Sequence, residues 1–248
     1  MKQLKFKMIG MSILLMGFVS CKGQDTNESP SFKDSKNLKI TATTVEHDVE
    51  LQQLIFSIEV EGKAGQSIPD KLGQMDGAPV LGYVFPTNLA SGDVGFSKTE
   101  GIVALALTSH PDFDDTPLWD ENSNTIFDDD GIVWHPHWVI LIEDKRVPGG
   151  LSVKQFDAGD ETVKLPPTNP GMPMYMDSPG FPVITTENTI KVIVPQYRMN
   201  HKSDFSFDGV AAYMQVNTSK EGFPLLGVYN VYSVASKDLS LPYKVSKR

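Results

Sequence analysis

The stretch GIVWHPHWVILIED at residues 131–144 decides the fold class of this chain, because it is short, apolar and rich in β-branched and aromatic residues. In an extended strand, successive side chains point to opposite faces. Trp134 and Trp138 therefore share one face, and His135 and His137 share the other. The stretch predicts a β-strand whose tryptophan face packs into a core and whose histidine face carries the chemistry.

Six other stretches have the length and composition of β-strands. Residues 53–61 alternate apolar and polar side chains, which indicates a half-buried strand. Residues 78–86 and 101–109 are short apolar runs bounded by glycine or proline, as expected of central strands. The remaining candidates are residues 189–198, 208–218 and 225–236.

Helical patterns are not sustained after residue 20, since no stretch keeps apolar residues at helical spacing for long enough to predict a major helix. The 17 prolines and 20 glycines fall mainly between the strand candidates. They are densest in residues 164–182, which we expect to form a loop that crosses the surface or covers an opening. The pattern predicts an all-β fold, an antiparallel β-sandwich or jelly-roll-like barrel, with one domain over residues 38–248.

The N-terminus has the pattern of a secretory signal peptide. Residues 1–7, MKQLKFK, carry three lysines and no acid, and an apolar run of about a dozen residues follows from Met8 to Val19. This run is shorter than the roughly 20 residues of a membrane-spanning helix. Residues 18–21, FVSC, resemble the lipobox of bacterial lipoproteins, with Phe18 where that family usually has leucine. The resemblance implies cleavage before Cys21 and attachment of lipid, such as palmitate, to the new N-terminal cysteine.

Lipidation of Cys21 would set the location and the partners of the protein. Residues 1–20 would be removed, residues 21–37 would form a flexible polar tether, and the acyl chains would bind the lipid bilayer. We therefore expect a bacterial cell-envelope protein anchored to the outer membrane, facing the periplasm or the cell surface. Cys21 is the only cysteine, so none would remain for disulfides or thiolate metal ligands. Loss of residues 1–20 removes three lysines and changes the formal charge from −9 to −12, which disfavours nucleic acid as a partner.

The histidine pair is compatible with a metal site and also with a polar patch in which the imidazoles bond to neighbouring carboxylates without a metal ion. Two imidazoles at positions i and i+2 of one strand have α-carbons about 7 Å apart, which suits two ligands of one metal ion. A third histidine, His110, begins the stretch HPDFDD directly after residues 101–109. If residues 101–109 pair with residues 131–144, His110 lies at the same end of the sheet as His135. Imidazoles favour Zn²⁺, Cu²⁺ or Fe²⁺, and hard oxygen ligands favour Ca²⁺. The predicted ligands of a divalent metal ion are His110, Asp112, Asp114, His135 and His137.

The acidic stretch before the histidine pair also allows a calcium loop. Oxygen-bearing side chains alternate from Asp120 onward as in an EF-hand loop. However, Thr125 replaces the glycine of position 6, and Gly131 replaces the glutamate of position 12. A looser calcium loop and a solvated acidic loop are both compatible with this pattern. The predicted calcium-loop residues are Asp120, Asn122, Asn124, Asp128 and Asp130.

The histidine pair further resembles the first motif of the cupin barrels, which runs glycine, HxH, glutamate and glycine. Gly131, His135, His137, Glu143 and Gly149 occur in that order, but every spacing differs from that of the family. In a straight strand Glu143 would lie about 20 Å from His137, too far to share a metal ion. The domain is also similar to a group of secreted bacterial β-rich proteins with a WHxHW segment, a resemblance that implies no activity.

These patterns leave three functions open. The first is a cell-envelope lipoprotein whose β-sandwich binds a metal ion or small ligand through the His/Asp cluster, for a binding or structural role. The second is a metal-dependent, cupin-like enzyme in which His110, His135 and His137 leave one coordination position for water or substrate. The third is a structural or adhesive surface protein without a metal site. The enzyme requires the three imidazoles to meet within about 4 Å of one point.

Overall fold

The computed structural model describes residues 35–116 and 119–248. The predicted signal peptide, Cys21 and nearly all of the predicted tether lie outside the described residues. Within them, the helices are 3₁₀-helices of three or four residues, at Ser35–Leu38, Ser91–Val94, Asp130–Ile132 and Gln196–Met199. No helix in this part of the chain is long and apolar enough to cross a membrane.

Fourteen β-strands make up most of the regular structure in the described ranges. They are β1 (Ile40–Asp48), β2 (Gln53–Val60), β3 (Pro79–Pro86), β4 (Ile102–Ser109), β5 (His135–Glu143), β6 (Leu151–Val153), β7 (Met176–Asp177), β8 (Val183–Thr186), β9 (Thr189–Pro195), β10 (Ser206–Phe207), β11 (Val210–Val216), β12 (Leu226–Val234), β13 (Tyr243–Lys244) and β14 (Ser246–Lys247). The predicted stretches correspond to β2, β3, β4, β5, β9, β11 and β12, so the all-β prediction is confirmed. Strand β1 was not predicted, because threonines and charged residues separate its few apolar positions.

Six antiparallel strands close a β-barrel in the order β3-β4-β5-β6-β12-β11, and β11 pairs with β3 to complete it. The short strand β7 pairs with β5 on the side away from β4. The register between β4 and β5 runs from Ile102 opposite Leu141 to Thr108 opposite His135. It brings the end of β4 and the start of β5 to the same end of the barrel, as the sequence predicted.

A second sheet, in the order β14-β1-β2-β9-β8, packs against the outside of the barrel. Phe56 of β2 makes edge-on contacts with Phe85 of β3 and Trp138 of β5, with ring centroids 5.3 and 6.3 Å apart. The tryptophan face of β5 is therefore the face between the two sheets, as strand parity predicted. The architecture combines a closed barrel with a sandwich-like second layer.

The opposite face of β5 points into the barrel. Val139 and Leu141 belong to a second apolar cluster that lines the barrel interior. Alanines occupy several inward positions, among them Ala106 and Ala212, and such small side chains leave space that larger ones would fill. A cavity of about 280 Å³ lies inside the barrel, and His137 reaches it from the inward face of β5.

The proline-rich loop at residues 164–182 includes β7 and covers part of the barrel interior. Met174 and Met176 are buried in the interior cluster, and Met172 packs against it. These methionines pack in the barrel interior, and whether the loop closes an opening stays a prediction.

Candidate metal centre

Three histidines and one aspartate meet at the end of the barrel where β4 ends and β5 begins. His110 follows β4 directly, His135 and His137 begin β5, and Asp115 comes from the connection between the two strands. One ligand atom of each residue lies within 4.8 Å of those of the others, and all four side chains are buried. These four residues, named here the histidine cluster, could hold a metal ion.

The chain approaches itself closely beside this cluster. The backbone N–H of His110 donates to the Gly131 carbonyl oxygen at 2.6 Å. A β-carbon at position 131 would clash with the carbonyl oxygens of His110 and Phe113. Glycine at this position therefore lets the segment before β5 lie against the segment that carries His110.

The ligand atoms of the cluster converge on one point. The Nε2 atoms of His110, His135 and His137 lie 3.2, 3.5 and 3.4 Å from Asp115 Oδ1. The Nε2 atoms of His110 and His135 are 2.8 Å apart. Two imidazole nitrogens at this distance repel each other through their lone pairs unless a cation, a proton or a metal ion, lies between them.

Backbone carbonyls fix the tautomer of two of the imidazoles. His110 Nδ1 donates to the Phe113 carbonyl oxygen at 2.8 Å, and His135 Nδ1 donates to the Val133 carbonyl oxygen at 2.6 Å. A carbonyl oxygen can only accept, so we assign the proton of each ring to Nδ1. Their Nε2 lone pairs are left for a ligand, which is the usual arrangement in metal sites.

The third imidazole is oriented by a serine. His137 Nδ1 donates to Ser178 Oγ at 3.0 Å, and Ser178 Oγ donates its own hydrogen to the Asp115 carbonyl oxygen at 2.8 Å. Ser178 thus links a histidine ligand to the backbone of the acid ligand. Among the described residues, His137 Nε2 and Asp115 Oδ1 are buried atoms without a hydrogen-bond partner. Both point into the centre of the cluster.

The pKa shifts of His137 and Asp115 favour the forms that bind metal ions, whereas the shift of His110 favours its protonated ring. Burial lowers the pKa of His137 to about 3, although the Asp115 carboxylate opposes this shift. Burial also lowers the pKa of His110, but the charge of Asp115 outweighs it and the net shift is upward. Burial raises the pKa of the Asp115 carboxyl, but the attraction of His137 and His110 outweighs it and holds that pKa well below its usual range. A neutral His137 and an ionised Asp115 are the forms that bind metal ions.

A second group of acids lies next to the histidine cluster. Oxygen atoms of Asp114, Glu121 and Asp130 lie within 4.8 Å of one another. Asp130 is fully buried and accepts hydrogen bonds from the backbone N–H groups of Glu121 and Asn122 at 3.0 and 3.1 Å. Burial raises the pKa of Glu121, the charges of Asp114 and Asp130 add to that rise, and His135 opposes it.

The structure brings the three predicted histidines together, but the acid that joins them is Asp115. The Asp112 carboxylate instead accepts hydrogen bonds from the backbone N–H groups of Leu72 and Gly73, at 3.0 and 2.5 Å. Asp114 lies in the second acidic group, and its Oδ1 accepts from the backbone N–H of Thr116 at 2.9 Å. Sequence reasoning missed Asp115 because the stretch HPDFDD does not form a strand. The alternation of side chains along a strand therefore could not show which of its aspartates faces the histidines.

The predicted calcium-loop residues mainly bond to their own loop. Asp120 accepts hydrogen bonds from the backbone N–H groups of Asn124 and Thr125 at 2.9 and 2.7 Å. The side chains of Asn122 and Asn124 donate to Asp129 at 3.1 and 2.9 Å. Asp128 is exposed, and Asp130 is the predicted calcium ligand that lies in an acidic group able to hold a cation. Calcium binding by this loop stays a prediction.

The glutamate of the cupin-like pattern lies away from the cluster. Glu143 is exposed at the far end of β5, where it pairs with Leu151 of β6. The acid of the histidine cluster comes from the connection before β5, whereas in the cupin motif it follows the histidines on the same strand.

The sequence matches no family model and no curated protein, and the fold matches no solved structure. A fold by itself does not determine function, which depends on the residues of the site. The chemistry of the histidine cluster and its surroundings therefore has to support the functional conclusion.

Proposed function

We propose that this protein is a cell-envelope lipoprotein whose β-barrel binds one divalent transition-metal ion at the histidine cluster. The observation that supports it is the convergence of buried, unpartnered atoms, His137 Nε2 and Asp115 Oδ1, with the facing Nε2 atoms of His110 and His135. A buried polar atom without a partner costs about 1–3 kcal/mol. A metal ion would satisfy all four ligand atoms at once.

The ligand set favours a first-row transition metal. Three imidazoles and one carboxylate suit Zn²⁺, Cu²⁺ or Fe²⁺, whereas Ca²⁺ takes about six to eight oxygen ligands. A small cavity beside the cluster is lined by His110, Asp115 and His137 together with methionines. The methionines are Met75, Met172, Met174 and Met176.

Elemental analysis and metal titration test this proposal. The predicted mature chain, residues 21–248 with Cys21→Ser, would be stripped with a chelator and titrated separately with Zn²⁺, Cu²⁺ and Fe²⁺. We expect one ion per chain for at least one of these metals and no stoichiometric binding by the double variant His135→Ala/His137→Ala. His201→Ala is the matched control, because this histidine is exposed and lies outside the cluster. Stoichiometric binding retained by the double variant would refute the assignment of the site.

A metal-dependent enzyme is the second candidate function. One observation favours it over a purely structural metal: His137 lines the cavity inside the barrel as well as the cluster. A metal ion held by His137 would therefore have a space beside it that a small molecule could enter. A structural or adhesive role without a metal would leave the buried ligand atoms of the cluster without partners.

A further inference from the structure

We propose that the barrel cavity binds a small, mostly apolar molecule whose single polar group reaches the metal ion. This inference rests on the proposed metal site and names the kind of ligand that the site would take. It is carried by three features of the cavity: its apolar wall, one unpartnered hydroxyl at its inner end, and an exposed rim at the other end.

The wall of the cavity is apolar. Inward side chains of β4, β5, β11 and β12 line it, including Ala106, Val139, Ala212 and Val228, and its volume is about 280 Å³. Apolar cavities of this kind stay dry and bind hydrocarbon-like molecules, and ligand pockets start at about 300 Å³. A molecule with an alkyl chain or one or two small rings matches this size and polarity.

The inner end of the cavity holds two polar side chains, His137 and Thr108. Thr108 is 4% exposed, and its Oγ1 is buried without a hydrogen-bond partner among the described residues. It lies on β4 opposite His135, and it lines both the barrel cavity and the small cavity beside the histidine cluster. An unpaired buried hydroxyl is unfavourable, so Thr108 is well placed to donate to a polar group of the ligand.

The other end of the cavity has exposed lining residues. Val231 is 40% exposed, and Lys237 and Asp238 are also exposed. These residues follow or belong to the second half of β12, whereas His137 lies near the start of β5. A ligand could therefore enter at this rim with its apolar body along the barrel and its polar group toward His137 and Thr108. An oxygen donor, such as a carboxylate, would both bind the metal ion and accept the Thr108 hydrogen.

Binding of straight-chain carboxylates to the cobalt-loaded protein tests the proposal. Residues 21–248 with Cys21→Ser would be loaded with Co²⁺, whose visible spectrum reports a change of coordination, and titrated with acids from acetate to decanoate. We expect the spectrum to change and the Kd to fall about threefold to fourfold for each added methylene until the cavity is full. Carboxylate binding without dependence on chain length would overturn the ligand proposal and leave the metal site intact. Failure to bind Co²⁺, Zn²⁺, Cu²⁺ and Fe²⁺ stoichiometrically would instead overturn the metal site on which it rests.

Substitutions in the cavity wall test the binding of the alkyl chain separately from the binding of the metal ion. Ala212→Phe should abolish the increase in affinity with chain length, whereas Co²⁺ binding and the spectral response to acetate should persist. Val234→Phe, at a partly exposed position of the rim, serves the same purpose if the first variant does not fold. Val49→Phe is the matched control, since Val49 is 52% exposed and does not line the cavity. If both cavity variants kept the same increase in affinity per methylene, the alkyl chain would bind elsewhere and the proposal would be refuted.

Variants of Thr108 test the polar end. Thr108→Val should weaken the binding of every acid by about twofold to tenfold without changing the gain per methylene, because only one hydrogen bond is lost. Thr108→Ser should restore the binding. If Thr108→Val bound the acids as tightly as the unaltered protein, the polar group of the ligand would not contact Thr108.

Discussion

Single hydrogen bonds decide how the histidine cluster presents its nitrogens. Two of the three imidazoles are held by backbone carbonyls, which substitution of a side chain does not remove. The third, His137, is held by the hydroxyl of Ser178. Ser178 is therefore the residue at which the orientation of a ligand can be changed without removing a ligand.

Replacing Ser178 by alanine should weaken metal binding by about tenfold to a hundredfold, as is usual when a residue that orients a metal ligand is lost. The reason is that His137 would lose the partner of its Nδ1 and its ring orientation would loosen. The measurement is the Kd for Zn²⁺ by competition with a chromophoric chelator. Ser240→Ala, at an exposed serine, is the control. A Kd equal to that of the unaltered protein would show that Ser178 does not position His137.

Gly131→Ala should lower the free energy of unfolding by roughly 1–3 kcal/mol, because the new methyl group would be forced into the carbonyl groups of His110 and Phe113. The same shift would displace His110, so metal affinity should fall as well. Urea denaturation measures the first effect and metal titration the second. Gly159→Ala, where no atom lies within 4 Å of the added β-carbon, should leave both unchanged. If Gly131→Ala and Gly159→Ala had equal free energies of unfolding, the carbonyl groups of His110 and Phe113 would not be packed tightly against Gly131.

At the scale of elements, the Asp144 carboxylate, directly after β5, forms an ion pair with Arg146 and links this end of β5 to β6 through Ser152. The Asp144 carboxylate accepts two hydrogen bonds from the Arg146 guanidinium, at 2.8 and 2.6 Å, and one from Ser152 Oγ of β6 at 2.7 Å. The Arg146 hydrogen bonds lower the pKa of Asp144 most, burial opposes them, and Ser152 lowers it further. The folded pKa therefore lies below the unfolded value of about 3.9.

This difference in pKa gives a pH dependence with a defined sign. The stabilisation by Asp144 is present above the unfolded pKa and is lost as the pH falls from about 4 through the lower folded pKa. Arg146 is half exposed, so solvent screening reduces the effect. Asp144→Asn should lower the free energy of unfolding by roughly 1–2 kcal/mol at pH 7, and the difference should shrink below pH ~4. Urea denaturation at pH 7 and pH 3 measures it, with exposed Asp70→Asn as the control; a difference that grows at pH 3 would contradict the assignment.

For the whole molecule, a bound metal ion would tie together β4, β5 and the connection between them. Ligands that bind only the folded state stabilise it by about 2.7 kcal/mol at a hundredfold excess over Kd. For a domain of this size, about 1 kcal/mol corresponds to a Tm change of roughly 2–4 °C. Adding Zn²⁺ at that excess should therefore raise the Tm of the metal-free protein by about 5–10 °C.

Calorimetry with and without Zn²⁺ checks this shift. The double variant His135→Ala/His137→Ala should show no metal-dependent change of Tm, and His201→Ala should behave like the unaltered protein. An equal Tm rise in the double variant would indicate that Zn²⁺ stabilises the protein from another site.

Attachment to the membrane also concerns the whole molecule, and residues 1–34 lie outside the described ranges. From the FVSC pattern, Cys21→Ser should abolish incorporation of a palmitate analogue and move the protein from the membrane fraction to the soluble fraction. Metabolic labelling followed by fractionation of the cell envelope measures both. A protein that stays labelled after the substitution would not be acylated at Cys21.

Much of the fold could be predicted from local spacing, because the period of a strand is two and buried strands are short and apolar. Seven of the strands were found in this way, as were the opposite faces of Trp138 and His137 on β5. The approach of His110 to His135 also followed, since it requires only that two neighbouring strands pair. Strands as short as β7 carry too few residues for a periodic pattern.

The sequence by itself determined the β-character of the chain and the shared face of His135 and His137, because both depend on residues next to each other. Only the tertiary structure decided that Asp115 completes the cluster and that Ser178 orients His137 from 41 positions away. It also decided that the histidine face is the inside of a barrel, because closure requires β11 to pair with β3, far apart in the chain. Loop geometry and barrel closure depend on contacts between distant segments, and local spacing does not encode them.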